Sequence, residues 1–406
     1  MAFPNVCRIR WLLLAAVFVG ALPSRLSAEK LLIIGDSLSK EYAVEFPILF
    51  PTNPAAWGER NWAEILNVYR KEAFDLGPYQ AIWLDSRITG HEYNWAFPGS
   101  KTDEWVENLT EFSLDSIFLR SRMNAYLDGE VDRVVVFLGG NDLNGAYRTY
   151  YEGADPDSFI NEQVNNVTTI VDYVRNRNRD LEIVVVNMVD VGLTQDVRME
   201  HPDPVKRKRM TDVTAAINAG LKALADNLEI GYADVFEVSI LLQEEQPYCL
   251  AGVDIRKETD PEAFSNRPEY LFSPDGFHPN TNAHLVFANR ILAAFNETYP
   301  DSTRAAPLTS AEMLEILGLD PLQPYRDFRM REGLPGNDDE GLADADADGW
   351  TDRAEFLLGL DPLAVDAGLA TVLGVKRDRL EVTFPVGSSR CEGFQMVLEK
   401  STDLRT

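Results

Sequence analysis

Leu31-Leu32-Ile33-Ile34-Gly35-Asp36-Ser37-Leu38 is the stretch that decides the fold. Four aliphatic residues in a row, with no polar alternation, call for burial on both faces, as in a strand inside a parallel sheet. The run stops at a glycine, an aspartate and a serine. Two other runs are built the same way. Val134-Val135-Val136-Phe137-Leu138 ends in Gly139-Gly140-Asn141-Asp142, and Ile183-Val184-Val185-Val186 ends in Asn187-Met188-Val189-Asp190. Residues 230–236 form a weaker fourth run. Between the runs, Ile217, Leu221 and Leu224, and then Leu285, Ala288, Ile291 and Leu292, recur at helical spacing. Strands alternating with helices give an open α/β sheet covered on both sides. In such a sheet the ligand site lies beyond the carboxyl ends of the strands, where the polar clusters fall.

The 406-residue chain is 45% hydrophobic, enough for a sizeable core, and its formal charge of −27 repels phosphate backbones. Nucleic acid is therefore not an expected partner. Residues 1–28 read as a secretory signal: Arg8 and Arg10 precede an apolar run over 11–22, Pro23 breaks it, and Ser27-Ala28 offers small residues for cleavage. That run is too short to cross about 30 Å of hydrocarbon, and no later stretch reads as a transmembrane segment. The mature chain is expected to be secreted or periplasmic. Cys7 leaves with the signal. Cys249 and Cys391 remain, and their spacing does not identify them as a pair.

Four short segments carry chemistry. Gly35-Asp36-Ser37-Leu38 places a serine at a strand end, and serine needs a base with a pKa near 7. Asp275-Gly276-Phe277-His278 supplies one; among four histidines, only His278 has an aspartate three residues earlier beside an expected sheet edge. A carboxylate there holds the imidazole tautomer, although the same turn serves equally well as a cap. Asn141, after the strongest strand, offers an amide donor to a developing oxyanion. In Asn94-Trp95-Ala96-Phe97-Pro98-Gly99, the glycine lets the backbone approach a substrate and present its N–H.

Together and in this order, these segments resemble the SGNH (GDSL) hydrolase superfamily, over roughly residues 30–298. The resemblance implies a flavodoxin-like three-layer α/β/α fold with a central parallel sheet. It implies Ser37 as nucleophile, His278 as base, and Asp275 orienting His278. The oxyanion would meet Ser37 N–H, Gly99 N–H and the Asn141 side chain, with no cofactor for catalysis.

Beyond the catalytic domain, expected over 29–300, residues 301–335 read as a linker with short helices, 336–365 as an EF-hand-like calcium loop and 366–406 as a partial β module. Leu317-Gly318-Leu319-Asp320-Pro321-Leu322 recurs as Leu358-Gly359-Leu360-Asp361-Pro362-Leu363, two related helix ends rather than a solenoid. Asp344, Asp346, Asp348, Trp350 (through its carbonyl), Asp352 and Glu355 fall at the calcium-ligand positions of a twelve-residue loop, with Gly349 at its sharp turn. No regular apolar helix precedes it. It resembles the loop–helix calcium modules of bacterial extracellular proteins, and the ion is expected to be structural.

Trp57, Trp62, Trp83, Trp95 and Trp105 fall within fifty residues of one another, in and just beyond the region between the serine strand and Gly99. Exposed, such rings stack on sugars and favour an acetylated polysaccharide; buried, they are core. Phe46, Leu49, Phe50 and Pro51 could equally meet a lipid acyl chain. The sequence thus leaves three readings: a carbohydrate (acetyl) esterase first, a general carboxylesterase or lipase on acyl esters second, and a catalytically silent carbohydrate-binding protein third. The oligomeric state is not encoded legibly.

Overall fold

The computed structural model describes residues 28–42, 59–80, 87, 89–112, 114–244, 248–262, 266–336, 338, 341–358, 360–365, 372–376, 379–383 and 391–392. The signal segment 1–27, the Phe46–Pro51 cluster, Trp57, Trp83 and nearly all of the expected β module lie outside the described residues.

The chain forms β1 (Leu31–Gly35), a small antiparallel pair β2 (Tyr79–Gln80) and β3 (Gly90–His91), then β4 (Asn94–Ala96), β5 (Arg133–Phe137), β6 (Glu182–Val186) and β7 (Gly231–Ala233). Five of these make one sheet, ordered β4-β1-β5-β6-β7, and every pairing in it is parallel. This is the flavodoxin-like order, in which growth of the sheet reverses at the first strand and leaves a crevice at the strand ends.

The uninterrupted aliphatic runs have a simple explanation. Leu31 and Ile33 of β1, Val135 and Phe137 of β5, and Val184 and Val186 of β6 enter one core. Leu32, Ile34, Val134, Val136, Ile183 and Val185 enter the other. The side chains alternate as any strand's must, but both faces are dry. The first core is covered by α1 (Trp62–Tyr69), α8 (Phe236–Glu244) and α9 (Thr281–Thr298). The second is covered by α2 (Thr102–Thr110), α3 (Leu114–Leu127), α4 (Gly140–Tyr151), α5 (Asp157–Arg177), the short α6 (Gln195–Glu200) and α7 (Pro204–Leu228). Asn61 caps α1 in a reciprocal capping box with Glu64.

A second sheet joins β8 (Tyr248–Leu250), β9 (Val253–Thr259) and β10 (Tyr270–Phe272), leading into the turn that carries His278. The remaining strands are the antiparallel pair β11 (Val372–Lys376) and β12 (Arg379–Thr383), and β13 (Cys391–Glu392). Parallel pairing of β13 with β8 sets Cys391 opposite Cys249, and Cys249 is disulfide-bonded.

The segment 301–335, expected as a linker with short helices, does carry two, and its first half packs against the catalytic domain. Helices α10 (Ser310–Ile316) and α11 (Gln323–Arg331) occupy it, and Leu308, Met313, Leu314 and Leu317 are buried in the first core. Arg70, the residue that caps the C-terminus of α1, holds this segment through Glu312, with two hydrogen bonds of 2.9 and 2.8 Å, and through the Pro307 carbonyl at 2.8 Å. That pairing keeps the Glu312 carboxyl down at about 2. Tyr325, Phe328 and Leu334 then gather with Phe356 of α12 (Asp352–Leu358) into a separate small cluster. The repeated Leu-Gly-Leu-Asp-Pro-Leu motif marks the ends of α10 and α12.

Candidate active site

At Gly35 the chain has no room for a side chain: an added Cβ would stand 2.6 Å from Ser39 Cβ and 3.3 Å from the Phe137 carbonyl oxygen. The backbone turns immediately. Asp36 O accepts from Ser39 N–H and Lys40 N–H at 3.1 and 3.0 Å, while Asp36 Oδ1 accepts from Leu38 N–H at 2.9 Å. Asp36 points inward, and Ser37 stands half-buried on the wall of a half-open cavity.

Asn141 lines the same cavity from the start of α4. Gly139 adopts φ +111, and an added Cβ would lie 2.2 Å from Met188 Cε, so only glycine can turn the chain here. Asn141 Nδ2 donates to Ser100 O at 3.1 Å and lies 3.5 Å from Asp36 Oδ2. The loop carrying Gly99 is tied to β1 through the Gly35 carbonyl, which accepts from Phe97 N–H at 3.0 Å and from Ser100 Oγ at 3.3 Å. Gly99 itself is exposed with φ +81 and has open space where a Cβ would go, so its conformation, not crowding, calls for glycine.

The turn after β10 carries the base and its carboxylate. Ser273 N–H and Oγ both donate to His278 O, at 2.9 and 2.8 Å. Asp275 Oδ1 accepts from Phe277 N–H and His278 N–H at 2.9 Å each, and Oδ2 accepts from His278 Nδ1 at 2.6 Å. Capping the turn and orienting the imidazole, alternatives from the sequence, are one arrangement. With the proton held on Nδ1, Nε2 is the basic nitrogen. Phe277 and Pro279, either side of His278, line the cavity with Ser37, so the two ends of the domain meet at one site. Tyr42 sets its ring edge-on to His278, centroids 6.4 Å apart, and its hydroxyl meets His284 Nε2 at 3.0 Å. Burial pushes His284 down to about 3, so it is neutral.

Two acidic groups escaped the sequence reading. Burial pushes Asp36 up to about 7, against the pull of Leu38 N–H and of His278 nearby. Glu59 is 1% exposed, and neither of its oxygens has a hydrogen-bond partner among the described residues. Burial, reinforced by the negative charge of Asp275, pushes it up to about 9. Asp36 lies within Gly35-Asp36-Ser37-Leu38 and Glu59 in no motif, and only burial marks either as perturbed.

In the distal loop, Asp344, Asp346 and Asp348 bring carboxylate oxygens within 4.8 Å of one another. Asp344 Oδ1 and Asp346 Oδ2 are buried without hydrogen-bond partners among the described residues. Gly349, at φ +100, donates its N–H to Asp344 Oδ2 at 3.0 Å, and Trp350 N–H donates to Asp348 Oδ1 at 2.8 Å. Glu355 is fully buried. Asp352, expected among the ligands, is occupied otherwise: Oδ1 accepts from Ala345 N–H at 2.8 Å and Oδ2 is ion-paired with Arg329.

Residues 31–291 match the family model described as GDSL-like Lipase/Acylhydrolase. No curated protein matches the chain in sequence. Similar solved structures include a lipase from a goat rumen metagenome, at 14% identity and TM-score 0.41 over 66% of this chain and 97% of that one. A carbohydrate esterase family 3 protein from Talaromyces cellulolyticus has 14% identity and TM-score 0.36, over 68% of this chain and all (100%) of that one. A variant of an acetyl xylan esterase from Geobacillus stearothermophilus has 14% identity and TM-score 0.33, over 70% of this chain and 100% of that one.

Glu59 gives a pH signature. Its folded pKa lies above the unfolded value, so its contribution is most favourable below about 4.5 and is lost as pH rises towards about 9. Glu59→Gln is therefore expected to leave the melting temperature nearly unchanged at pH 4 and to raise it by about 2–4 °C at pH 8. Calorimetry across that range checks the sign; equal shifts at both ends contradict it.

Proposed function

The chain belongs to the GDSL-like lipase/acylhydrolase family and acts on ester bonds, and we propose that it does so through an acyl-enzyme on Ser37. The observation that carries this reading is the 2.6 Å Asp275–His278 bond on a turn that walls the same cavity as Ser37. His278 Nε2 takes the Ser37 proton as Oγ bonds to the ester carbonyl carbon. Ser37 N–H, Gly99 N–H and Asn141 Nδ2 hold the oxyanion. The tetrahedral centre collapses, the bond to the alcohol oxygen breaks, and His278 returns its proton to the departing alcohol. Water, deprotonated by the same imidazole, then releases the acid and restores the Ser37 hydroxyl. Asp275 keeps His278 in the required tautomer and stabilises the imidazolium.

Of the ester classes left open by the sequence, the acetylated-carbohydrate reading loses most of its described support. Trp62, Trp95 and Trp105 are at most 1% exposed, and Trp95 is covered by the Arg87 guanidinium 3.9 Å from its ring. Trp57 and Trp83 lie outside the described residues and remain its carriers. The apolar cavity beside Ser37 favours the general carboxylesterase reading. Ser37→Ala is expected to abolish hydrolysis of a p-nitrophenyl ester, Asp275→Asn to lower kcat by about 10²–10⁴ and Asn141→Ala by about 10²–10³, all with unchanged circular dichroism. Undiminished turnover by the Ser37 variant rejects the mechanism.

A second proposal concerns the distal loop. Asp344, Asp346, Asp348, the Trp350 carbonyl and Glu355 would coordinate Ca²⁺, a hard ion that takes six to eight oxygens. The buried oxygens of Asp344 and Asp346 support this set, and Asp352 would brace the loop through Arg329 rather than bind directly. The role is structural: an ion at about 100 times its Kd stabilises by about 2.7 kcal/mol. Excess chelator should lower the melting temperature of the full chain, and the Asp344→Asn/Asp346→Asn double variant should no longer respond. A chelator-insensitive wild type excludes the site.

Export is proposed on the leader-like residues 1–28 and is supported by the disulfide at Cys249, a bond at home in oxidising compartments. Expressed with its leader, the chain should appear outside the cytoplasm with Glu29 as first residue. An intact Met1 on the recovered protein would contradict this.

A further inference from the structure

Resting on the reading of Ser37 as nucleophile and His278 as base, we infer that Tyr42 is a positioning residue for that pair: its ring spaces the base from the serine segment, and His284 anchors the ring through its hydroxyl. Asp275 alone does not fix the base. Its bond to Nδ1 holds one atom of the imidazole, about which the ring is still free to swing.

Two aromatic rings stand nearly perpendicular to that imidazole: Phe277 at 84°, with centroids 5.4 Å apart, and Tyr42 at 85°, with centroids 6.4 Å apart. Both separations are those of edge-to-face pairs. The two rings differ in how firmly they are held. Phe277 is half-buried and lines the cavity. Tyr42 is 1% exposed, and its backbone N–H donates at 3.1 Å to Glu64 Oε2, the carboxylate of the α1 capping box. Tyr42 also follows Ser37 by five residues, on the segment that leaves β1, whereas His278 arrives after β10. One side chain of the serine segment thus abuts the base, and its size sets how closely the base approaches.

The far end of Tyr42 meets His284 Nε2 at 3.0 Å, with the two rings again edge to face. His284 is fully buried, and its Nδ1 has no hydrogen-bond partner among the described residues. Burial keeps this imidazole neutral, so it carries a single N–H. On Nδ1 that proton would be a buried donor without an acceptor, which is costly; on Nε2 it meets the Tyr42 oxygen. His284 therefore donates to Tyr42. The hydrolytic steps make no use of His284, and an imidazole with one unpartnered nitrogen is a poor core residue on α9. What it supplies is the bond that holds Tyr42.

The test measures kcat and KM of the full chain on p-nitrophenyl acetate, per reactive serine as titrated with a fluorophosphonate. The variants are Tyr42→Phe, Tyr42→Leu, His284→Gln, His284→Leu and the double variant Tyr42→Phe/His284→Leu. Tyr42→Leu removes the ring and is expected to lower kcat by about tenfold to a hundredfold, with KM within about twofold of wild type. Tyr42→Phe and His284→Leu each remove the anchor and should lower kcat by about threefold to tenfold. The double variant should be no slower than the slower single one, because both changes delete the same bond. His284→Gln keeps an amide donor at the same reach and should hold kcat within about twofold of wild type. Wild-type kcat in Tyr42→Leu, losses that multiply in the double variant, or a glutamine no better than leucine overturns the positioning role and leaves the ester hydrolase intact. A wild type no faster than Ser37→Ala overturns the serine reading instead. If Tyr42→Leu does not fold by circular dichroism, the two His284 variants and the double variant decide.

Discussion

The carbonyl of Gly35 is the point from which the site is laid out. It closes the central strand and accepts both Phe97 N–H and Ser100 Oγ. Ser100 O in turn accepts from Asn141. One peptide oxygen and its neighbour thus set the distance between three loops that leave three different strands. The arrangement holds because β1 lies between β4 and β5, dry on both faces, and because Gly35 tolerates no side chain. Rigidity at the end of a buried parallel strand is what lets a short turn present a serine reproducibly.

Much of this was legible in the sequence because the relevant signals are local. The runs at 31–34, 134–138 and 183–186 announce strands through residue type alone, and Asp275 and His278 are close enough in sequence for their contact to be read from spacing. The flanking layers followed from helical periodicity. Other features depend on what tertiary structure brings near. Tryptophan serves core and sugar platform alike, so Trp62, Trp95 and Trp105 could not be placed from their type. Residues 301–317 look like a linker because α10 is short, yet Arg70, more than two hundred positions earlier, draws it onto the core. Asp352 matched a ligand position, but Arg329 claims its carboxylate. The fourth strand extends only over Gly231–Ala233, shorter than its apolar run.

The electrostatics around the base follow one theme. His284 is kept neutral, Asp36 sits near the edge of ionisation, and Glu59 is neutral at ordinary pH. Asp275 is the carboxylate hydrogen-bonded to the imidazole and also receives two backbone N–H groups. A buried neighbourhood that suppresses competing charges makes a single ion pair more effective when an imidazolium forms.

The turn that carries His278 is also fastened to the opposite wall of the cavity. Gly276, at φ +77, accepts from Gln195 N–H at 3.1 Å, and Gln195 opens α6, directly after the wall residues Val191, Leu193 and Thr194. Guest and base therefore share a mechanical linkage: a guest that spreads this wall tugs on the imidazole that must serve it. Misfit would then be felt as slower chemistry as well as weaker capture, so discrimination between substrates would be written into turnover itself.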